Sequence, residues 1–415
     1  MNRRKLIRTS FAIAGGTIIQ RLAYGQRNSM ATFIQTSDMD IQPFHINFSK
    51  EKIIDLHRRL DNTIWPEMPF DTGWSAGTND KVLKDLVKYW RNQHDWFNEE
   101  EKLNQLPHFK ATIAGEQLHF VHYKVSDRRQ AYPLLLLHGW PSSFMEFMKV
   151  ASMLVRGANG QPGFDVVVPS LPGFVFSDAP KQAGVHFSIV AERIHQLMTT
   201  LGYNKYGVVG GDWGWVVGRE LAHLHPEAVV KLILDGISPK SPLPEKGRNE
   251  EEQKFIESWK EFRTTETAYS DLQRTKPQTL AYGLQDSPVG LLSWILEKYW
   301  RWTDHGDDLW QSLDKNYVLN TVTLYWLTGR ILSSARYYHE YVNRITTEQD
   351  NTPVTVPTKW VSFAKNPWAA PDSLTDKSGF TNLKGYTIIE KGGHFPAMEV
   401  PELWVKEVFT FFSKP

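Results

Sequence analysis

Tyr206-Gly207-Val208-Val209-Gly210-Gly211-Asp212-Trp213-Gly214-Trp215 carries the strongest structural signal in the chain. A short apolar run ending in glycines reads as a strand leaving a sheet, and residues 215–225 follow it with helical spacing. The glycines crowd around one charged residue, Asp212, as they must where a strand turns sharply into a closely packed helix. An aspartate capping a surface turn would explain that one position. It would not explain the runs around it. Similar apolar runs occur at residues 134–137, 166–168 and 232–234, and again at 359–363 and 386–389. The runs at 134–137, 166–168, 206–209 and 232–234 end near Gly, Pro or Asp, with helical stretches between them. Such alternation predicts parallel strands buried on both faces.

Residues 238–347 break this rhythm. They are rich in charge and aromatics, look helical, and are interrupted by Pro277, Pro288 and Gly290. A helical insertion between two halves of a parallel sheet predicts a lid over the sheet's carboxyl edge, where α/β sites lie. Upstream, Ser49 opens a helix with Ile53, Leu56 and Leu60 on one face, and another follows Asn79-Asp80 with Val82, Leu83, Leu86, Val87 and Trp90. Residues 109–114 and 117–123 read as a hairpin joined at Gly115-Glu116. An amphipathic helix with Leu403, Val405, Val408 and Phe412 closes the chain. The expected division is an address at 1–25, an N-terminal segment at 38–110, a core at 111–237 and 348–415, and the lid at 238–347.

Composition limits the chemistry. The 415 residues carry 47 basic and 46 acidic side chains, so nothing argues for a nucleic-acid partner. The absence of cysteine excludes disulfides, a thiolate nucleophile and thiolate zinc sites. At the start, Asn2-Arg3-Arg4-Lys5-Leu6-Ile7-Arg8 precedes an apolar run at 11–19, with Ala23-Tyr24-Gly25 beyond it. That run is about half the ~20 residues of a membrane-spanning helix. It resembles a bacterial twin-arginine export signal, which implies an exported protein without a stable transmembrane anchor.

The Gly210-Gly211-Asp212-Trp213-Gly214 pattern is similar to the nucleophile elbow of the α/β-hydrolases, with aspartate in the usual serine position. The fold expected is that one: a mostly parallel, doubly wound sheet with a helical lid insertion and an N-terminal extension. A carboxylate nucleophile attacks an sp³ carbon and leaves an alkyl ester on the enzyme. After the run at 134–137 comes His138-Gly139-Trp140-Pro141, a turn of the kind that supplies an oxyanion-hole amide. The main-chain N–H groups of Trp140 and Trp213 are the expected donors. His138 is expected to brace the turn. His394, in Lys391-Gly392-Gly393-His394-Phe395 after the last strand, is the expected base that draws a proton from water. Nothing in the sequence calls for a metal or an organic cofactor.

From about Ile41 to the C-terminus the chain resembles the microsomal-type epoxide hydrolases. The likeness rests on Asn47-Phe48-Ser49, Tyr89-Trp90-Arg91-Asn92, Leu106-Pro107-His108-Phe109-Lys110, the 138–141 and 210–214 motifs, Asp286-Ser287-Pro288-Val289-Gly290 and Tyr325-Trp326. It implies an enzyme that adds water to a small apolar epoxide, giving a vicinal diol. It also implies two lid tyrosines that donate hydrogen bonds to the ring oxygen, placed by their flanking residues at Tyr269 and Tyr338, with Tyr337 adjacent to the second.

One position departs from the pattern. The family carries its histidine-orienting acid at the position of Asn366, and an amide cannot balance an imidazolium as a carboxylate does. Asp235 stands where the family usually has asparagine, and in haloalkane dehalogenases the acid can sit after this earlier strand. The reciprocal exchange implies that the acid has moved to Asp235, with Asp372 as the other candidate. Two rival functions remain in view. A haloalkane dehalogenase would use the same nucleophile, though it typically carries asparagine in place of Trp140. A ligand-binding relative without turnover would be suggested by Asn366 alone.

Overall fold

The apolar runs pair side by side. In the computed structural model, which describes residues 41–125, 132–158, 161–236, 239–345 and 353–412, they belong to one sheet. Its strands are β1 (Ile41–Pro43), β2 (His108–Ile113), β3 (Glu116–Tyr123), β4 (Tyr132–Leu137), β5 (Phe164–Pro169), β6 (Tyr206–Gly211), β7 (Val229–Asp235), β8 (Thr358–Phe363) and β9 (Leu383–Ile389). They lie in the order β1-β2-β3-β5-β4-β6-β7-β8-β9. Every pair from β5 to β9 is parallel, while β1, β2 and β3 add antiparallel strands at one edge. The β2–β3 turn sits at Ala114-Gly115, with φ of 51° and 78°, one residue before the expected joint. Two residues at positive φ match the twist of the flanking strands. The segment expected to carry the export signal lies outside the described residues.

Helices cover both faces. Leu134, Leu135, Leu136 and Leu137 of β4 are fully buried, as are Val166, Val167 and Val168 of β5. Along β6 a Cβ on Gly207 would strike Phe412 of the last helix, α14 (Pro401–Phe412). Its neighbour Val208 faces Gly218 of α6 (Trp213–Leu224). Successive strand residues point to opposite faces, so α6 and α14 sandwich the sheet. Also in the core are α4 (Met148–Arg156), α5 (Phe187–Thr200) and the short α13 (Pro396–Glu399).

The stretch between β7 and β8 is helical, with α7 (Glu250–Thr265), α8 (Ala268–Thr275), α9 (Pro277–Asp286), α10 (Pro288–Trp302), α11 (Lys315–Thr328) and α12 (Ile331–Ile345). Pro277 and Pro288 begin helices rather than break them, because proline's missing N–H costs nothing in a first turn. The N-terminal helices α1 (Lys50–Asp61), α2 (Asp80–Asn92) and α3 (Trp96–Leu103) secure this insertion from outside. Trp90 Nε1 donates to Thr323 Oγ1 at 3.1 Å, and His94 Nε2 lies 2.7 Å from Asn320 Oδ1. From the core side, the Tyr325 and Tyr337 hydroxyls each donate at 2.9 Å, to the carbonyls of Ser142 and Pro172. Fixed from two sides, α11 and α12 hold a defined position over the strand ends. Among the described residues no helix is long and apolar enough to cross a membrane.

Candidate active site

The turn after β6 holds Asp212 at φ 51° and ψ −122°, a strained conformation for a residue with a side chain. The surrounding glycines explain how the turn is accommodated. A Cβ at Gly210 would lie 2.1 Å from the Gly214 carbonyl oxygen, and one at Gly214 would lie 2.0 Å from that of Leu137. At Gly139 it would reach within 2.3 Å of Asp212 itself. Asp212 Oδ1 accepts hydrogen bonds from the backbone N–H of Trp213 at 2.7 Å and of Trp140 at 2.9 Å. Both expected amides therefore converge on one oxygen. The other, Oδ2, is left for His394 Nε2 at 3.3 Å.

His138 holds the turn from below. Its Nε2 accepts from the Leu171 N–H at 3.1 Å and its Nδ1 lies 3.1 Å from the Gly139 carbonyl. Burial pushes its imidazole down to about 4, so it is neutral at physiological pH. The loop of His394 is held by its whole backbone. Gly392 N–H donates to Asp304, Gly393 and Phe395 N–H to Glu399, and His394 N–H to the Trp302 carbonyl, all within 2.9 Å. Sequence reasoning missed Glu399 and Asp304 in this role. The signal for Glu399 was an acidic residue in the first turn of a helix opened by Pro396, five residues past the histidine.

A cavity of about 470 Å³ brings Asp212, Asp235, Tyr269, Tyr338, Asn366 and His394 together, walled by Trp213, Trp215, Trp368 and Tyr341. Tyr269 comes from α8 and Tyr338 from α12. Their hydroxyls interact with each other, and the Trp140 ring lies flat against Tyr269 at 5.6 Å and edge-on to Tyr338 at 5.9 Å. Burial, together with the nearby Asp212 carboxylate, holds both phenols well above their usual range, so they are protonated donors. Tyr337 is spent on the Pro172 carbonyl and is absent from the cavity wall, which separates it from Tyr338.

The far side of the imidazole departs from expectation. Asp235 does share the cavity with His394, in register beside Gly211 on β6 and Val361 on β8. No hydrogen bond joins them. Asp235 Oδ1 and His394 Nδ1 are both buried without a partner, and among the described residues only Asp212 places a carboxylate within 4.0 Å of the ring nitrogens. Asp235 is half-buried with its Oδ1 enclosed, and among the described residues it forms no ion pair. Burial, followed by the negative charges of Glu146 and Glu399, pushes its carboxyl well above the carboxylate range. Asn366 turns its side chain into its own loop, accepting from the Trp368 N–H at 3.2 Å. Asp372, the other candidate, sits near the surface in an ion pair with Lys377 at 2.6 Å and does not line the cavity.

The arrangement matches known proteins in both of its halves. Residues 41–147 match the family profile described as epoxide hydrolase N terminus, and residues 132–401 match the alpha/beta hydrolase fold. Epoxide hydrolase 1 of Sus scrofa is 34% identical over 408 residues, spanning 91% of this chain and 89% of that protein. Among solved structures, juvenile hormone epoxide hydrolase from the silkworm Bombyx mori superposes with a TM-score of 0.84 at 31% identity, covering 92% of this chain and 96% of that one. The Aspergillus niger epoxide hydrolase gives 0.80 at 29% identity, with 91% and 97% covered. Because the likeness spans the N-terminal segment, the elbow and the helical insertion together, the chain belongs to the epoxide hydrolase family, built on the α/β-hydrolase fold.

Proposed function

We propose that this protein hydrolyses epoxides to vicinal diols through an alkyl ester on Asp212. The observation that carries the reading is the division of labour between the two oxygens of Asp212. Oδ1 is held by two amides, while Oδ2 has His394 Nε2 at 3.3 Å, in a cavity whose wall also carries the two phenols. Oδ2 attacks the epoxide carbon as Tyr269 and Tyr338 donate to the ring oxygen. In the ester, Oδ1 is the carbonyl oxygen. When water activated by His394 adds to Cγ, the charge gathers on that oxygen, where the Trp140 and Trp213 amides already lie. Asp235 is the orienting acid in this proposal. Asp235 Oδ1 and His394 Nδ1 are both enclosed and unpartnered at the wall of one cavity, and pairing them would satisfy both. The helical insertion acts as the lid, and its aromatic wall suits a small apolar epoxide.

The rival dehalogenase reading needs the side chain at 140 as a halide donor. Trp140 is instead fully buried as a shelf for the two phenols. Single turnover of a simple epoxide in ¹⁸O-labelled water tests the main proposal. The first-turnover diol should be unlabelled, its oxygen coming from Asp212. Label in that diol would establish direct attack by water and overturn the ester. Replacing Tyr269 and Tyr338 together by Phe should slow ring opening by roughly 10²–10⁴-fold. Export by the Arg3-Arg4 leader is part of the same proposal, and cell fractionation with an Arg3→Lys, Arg4→Lys variant, which should stay in the cytoplasm, tests it.

A further inference from the structure

Lys298 lies on α10 with only 3% of its surface exposed. Its Nζ sits 4.4 Å from the centroid of the Tyr269 ring and 5.8 Å from that of Trp302, and pairs with Glu297 at 2.6 Å. Burying an ammonium group is costly, and one carboxylate from the adjacent residue compensates it only in part. Most lysines of such a helix keep their charge in water by extending outward. This one is turned inward, onto the face of Tyr269, which lines the cavity with Asp212.

We infer that Lys298 is a positioning residue for Tyr269, fixing the ring beneath the epoxide oxygen and supporting the negative charge the phenol acquires as it gives up its proton. The inference rests on the role proposed for Tyr269. As the Asp212 Oδ2–carbon bond forms, the ring C–O bond breaks with its electron pair on oxygen, and that oxygen takes the phenol proton. Hydrolysis of the ester regenerates the carboxylate and releases one proton, which restores the phenol. Burial and the Asp212 and Glu297 carboxylates all work against the intervening phenolate. A cation 4.4 Å away on the ring face works for it. Trp302, one turn further along α10, packs on His394 at 5.0 Å and accepts its backbone N–H. One helix end therefore backs both the acid and the base.

The test is a double-mutant cycle on single-turnover alkylation with styrene oxide. Lys298→Met should slow alkylation about tenfold where the Tyr269 hydroxyl is present. In the Tyr269→Phe background the same change should cost less than about twofold, because nothing is left to support. Lys298→Arg keeps a cation and should restore most of the rate, while ester hydrolysis changes little in all of them. Equal slowing in both backgrounds, or an arginine variant as slow as the methionine one, would mean a packing role and overturn the inference. Unaltered alkylation in Tyr269→Phe alone would remove the tyrosine's role and the lysine's with it. Thermal melting identifies any unfolded variant, and Lys298→Gln in the same two backgrounds then replaces Lys298→Met.

Discussion

At Asp212 both carboxylate oxygens have partners, whereas across the imidazole of His394 two buried atoms, His394 Nδ1 and Asp235 Oδ1, have none. The first region is set by backbone. Gly139, Gly210 and Gly214 admit only one course for the chain, and neighbouring parallel strands deliver the Trp140 amide beside it. The second depends on side chains that leave the ends of β7, β8 and β9 and must meet in the interior. Native structures keep few unsatisfied buried polar atoms, each costing about 1–3 kcal/mol, and those that persist gather where function holds them. A geometry carried by main-chain amides and glycines is fully matched, while one that depends on side chains from three strand ends leaves two polar atoms unmatched.

The largest effects are expected at Asp212, where both oxygens are matched. Asp212→Ala should lower turnover by roughly 10⁶-fold and abolish any alkyl adduct in mass spectra of the trapped enzyme. A surviving adduct would place the nucleophile elsewhere. Next comes His394→Gln, which should cut turnover by up to roughly 10⁴-fold while leaving alkylation intact, so that the ester accumulates. Equal loss in both steps would remove the histidine from its role as base.

At the unmatched end the effect should be smaller. Asp235→Asn should slow ester hydrolysis by less than the roughly 10⁴-fold that loss of a directly bonded acid costs, and Asn366→Asp added to it should recover part of the rate. An Asp235→Asn enzyme with normal ester hydrolysis would leave Asp235 a structural residue. The same variant has a stability consequence of opposite sign. The folded Asp235 carboxyl is raised above its unfolded value, so it favours folding at low pH and opposes it as pH rises. Asp235→Asn should therefore be the more stable protein at pH 7, by on the order of 1–2 kcal/mol in denaturant melts. A loss of stability there would show that the carboxylate has a partner in solution.

His138 sharpens the contrast through the pH dependence of folding. It and His108 are both pushed by burial down to about 4 from an ordinary 6.5. The unfolded chain then binds protons that the folded chain does not, so stability is full above pH 6.5 and falls from there to pH 4. Complete loss of one such contribution is about 3 kcal/mol. A titration to pH 5 removes only part of it, and His138→Gln should flatten that part of the profile. An unchanged slope would mean that the imidazole under the elbow is reached by water.

The runs at 134–137, 166–168 and 206–209 announced a buried parallel sheet because residues solvated on neither face have no reason to alternate. The elbow was equally legible, since its glycines and its aspartate lie within five consecutive positions. Tyr269 and Tyr338 were reachable only through likeness to a family, as nothing local separates them from the other 13 of 15 tyrosines. The β2–β3 turn was misplaced by one residue because Ala114 adopts a positive φ that its side chain gives no sign of.

Neighbours a few residues away are enough to mark the parallel strands, the aspartate at the elbow and the histidine after the last strand, so these are legible in the sequence, whereas β1 and α3 are not. Which atoms meet is set by the folded chain. It separated Tyr338 from Tyr337 by giving one a carbonyl and the other the cavity, and it set Glu399 and Asp304 under the histidine loop. It turned Lys298 inward onto Tyr269, and it left Asp235 near His394 without a bond between them. Those outcomes depend on contacts between residues far apart in the chain, whose distances are set by packing of the whole sheet and its helices and leave no periodic trace in the sequence.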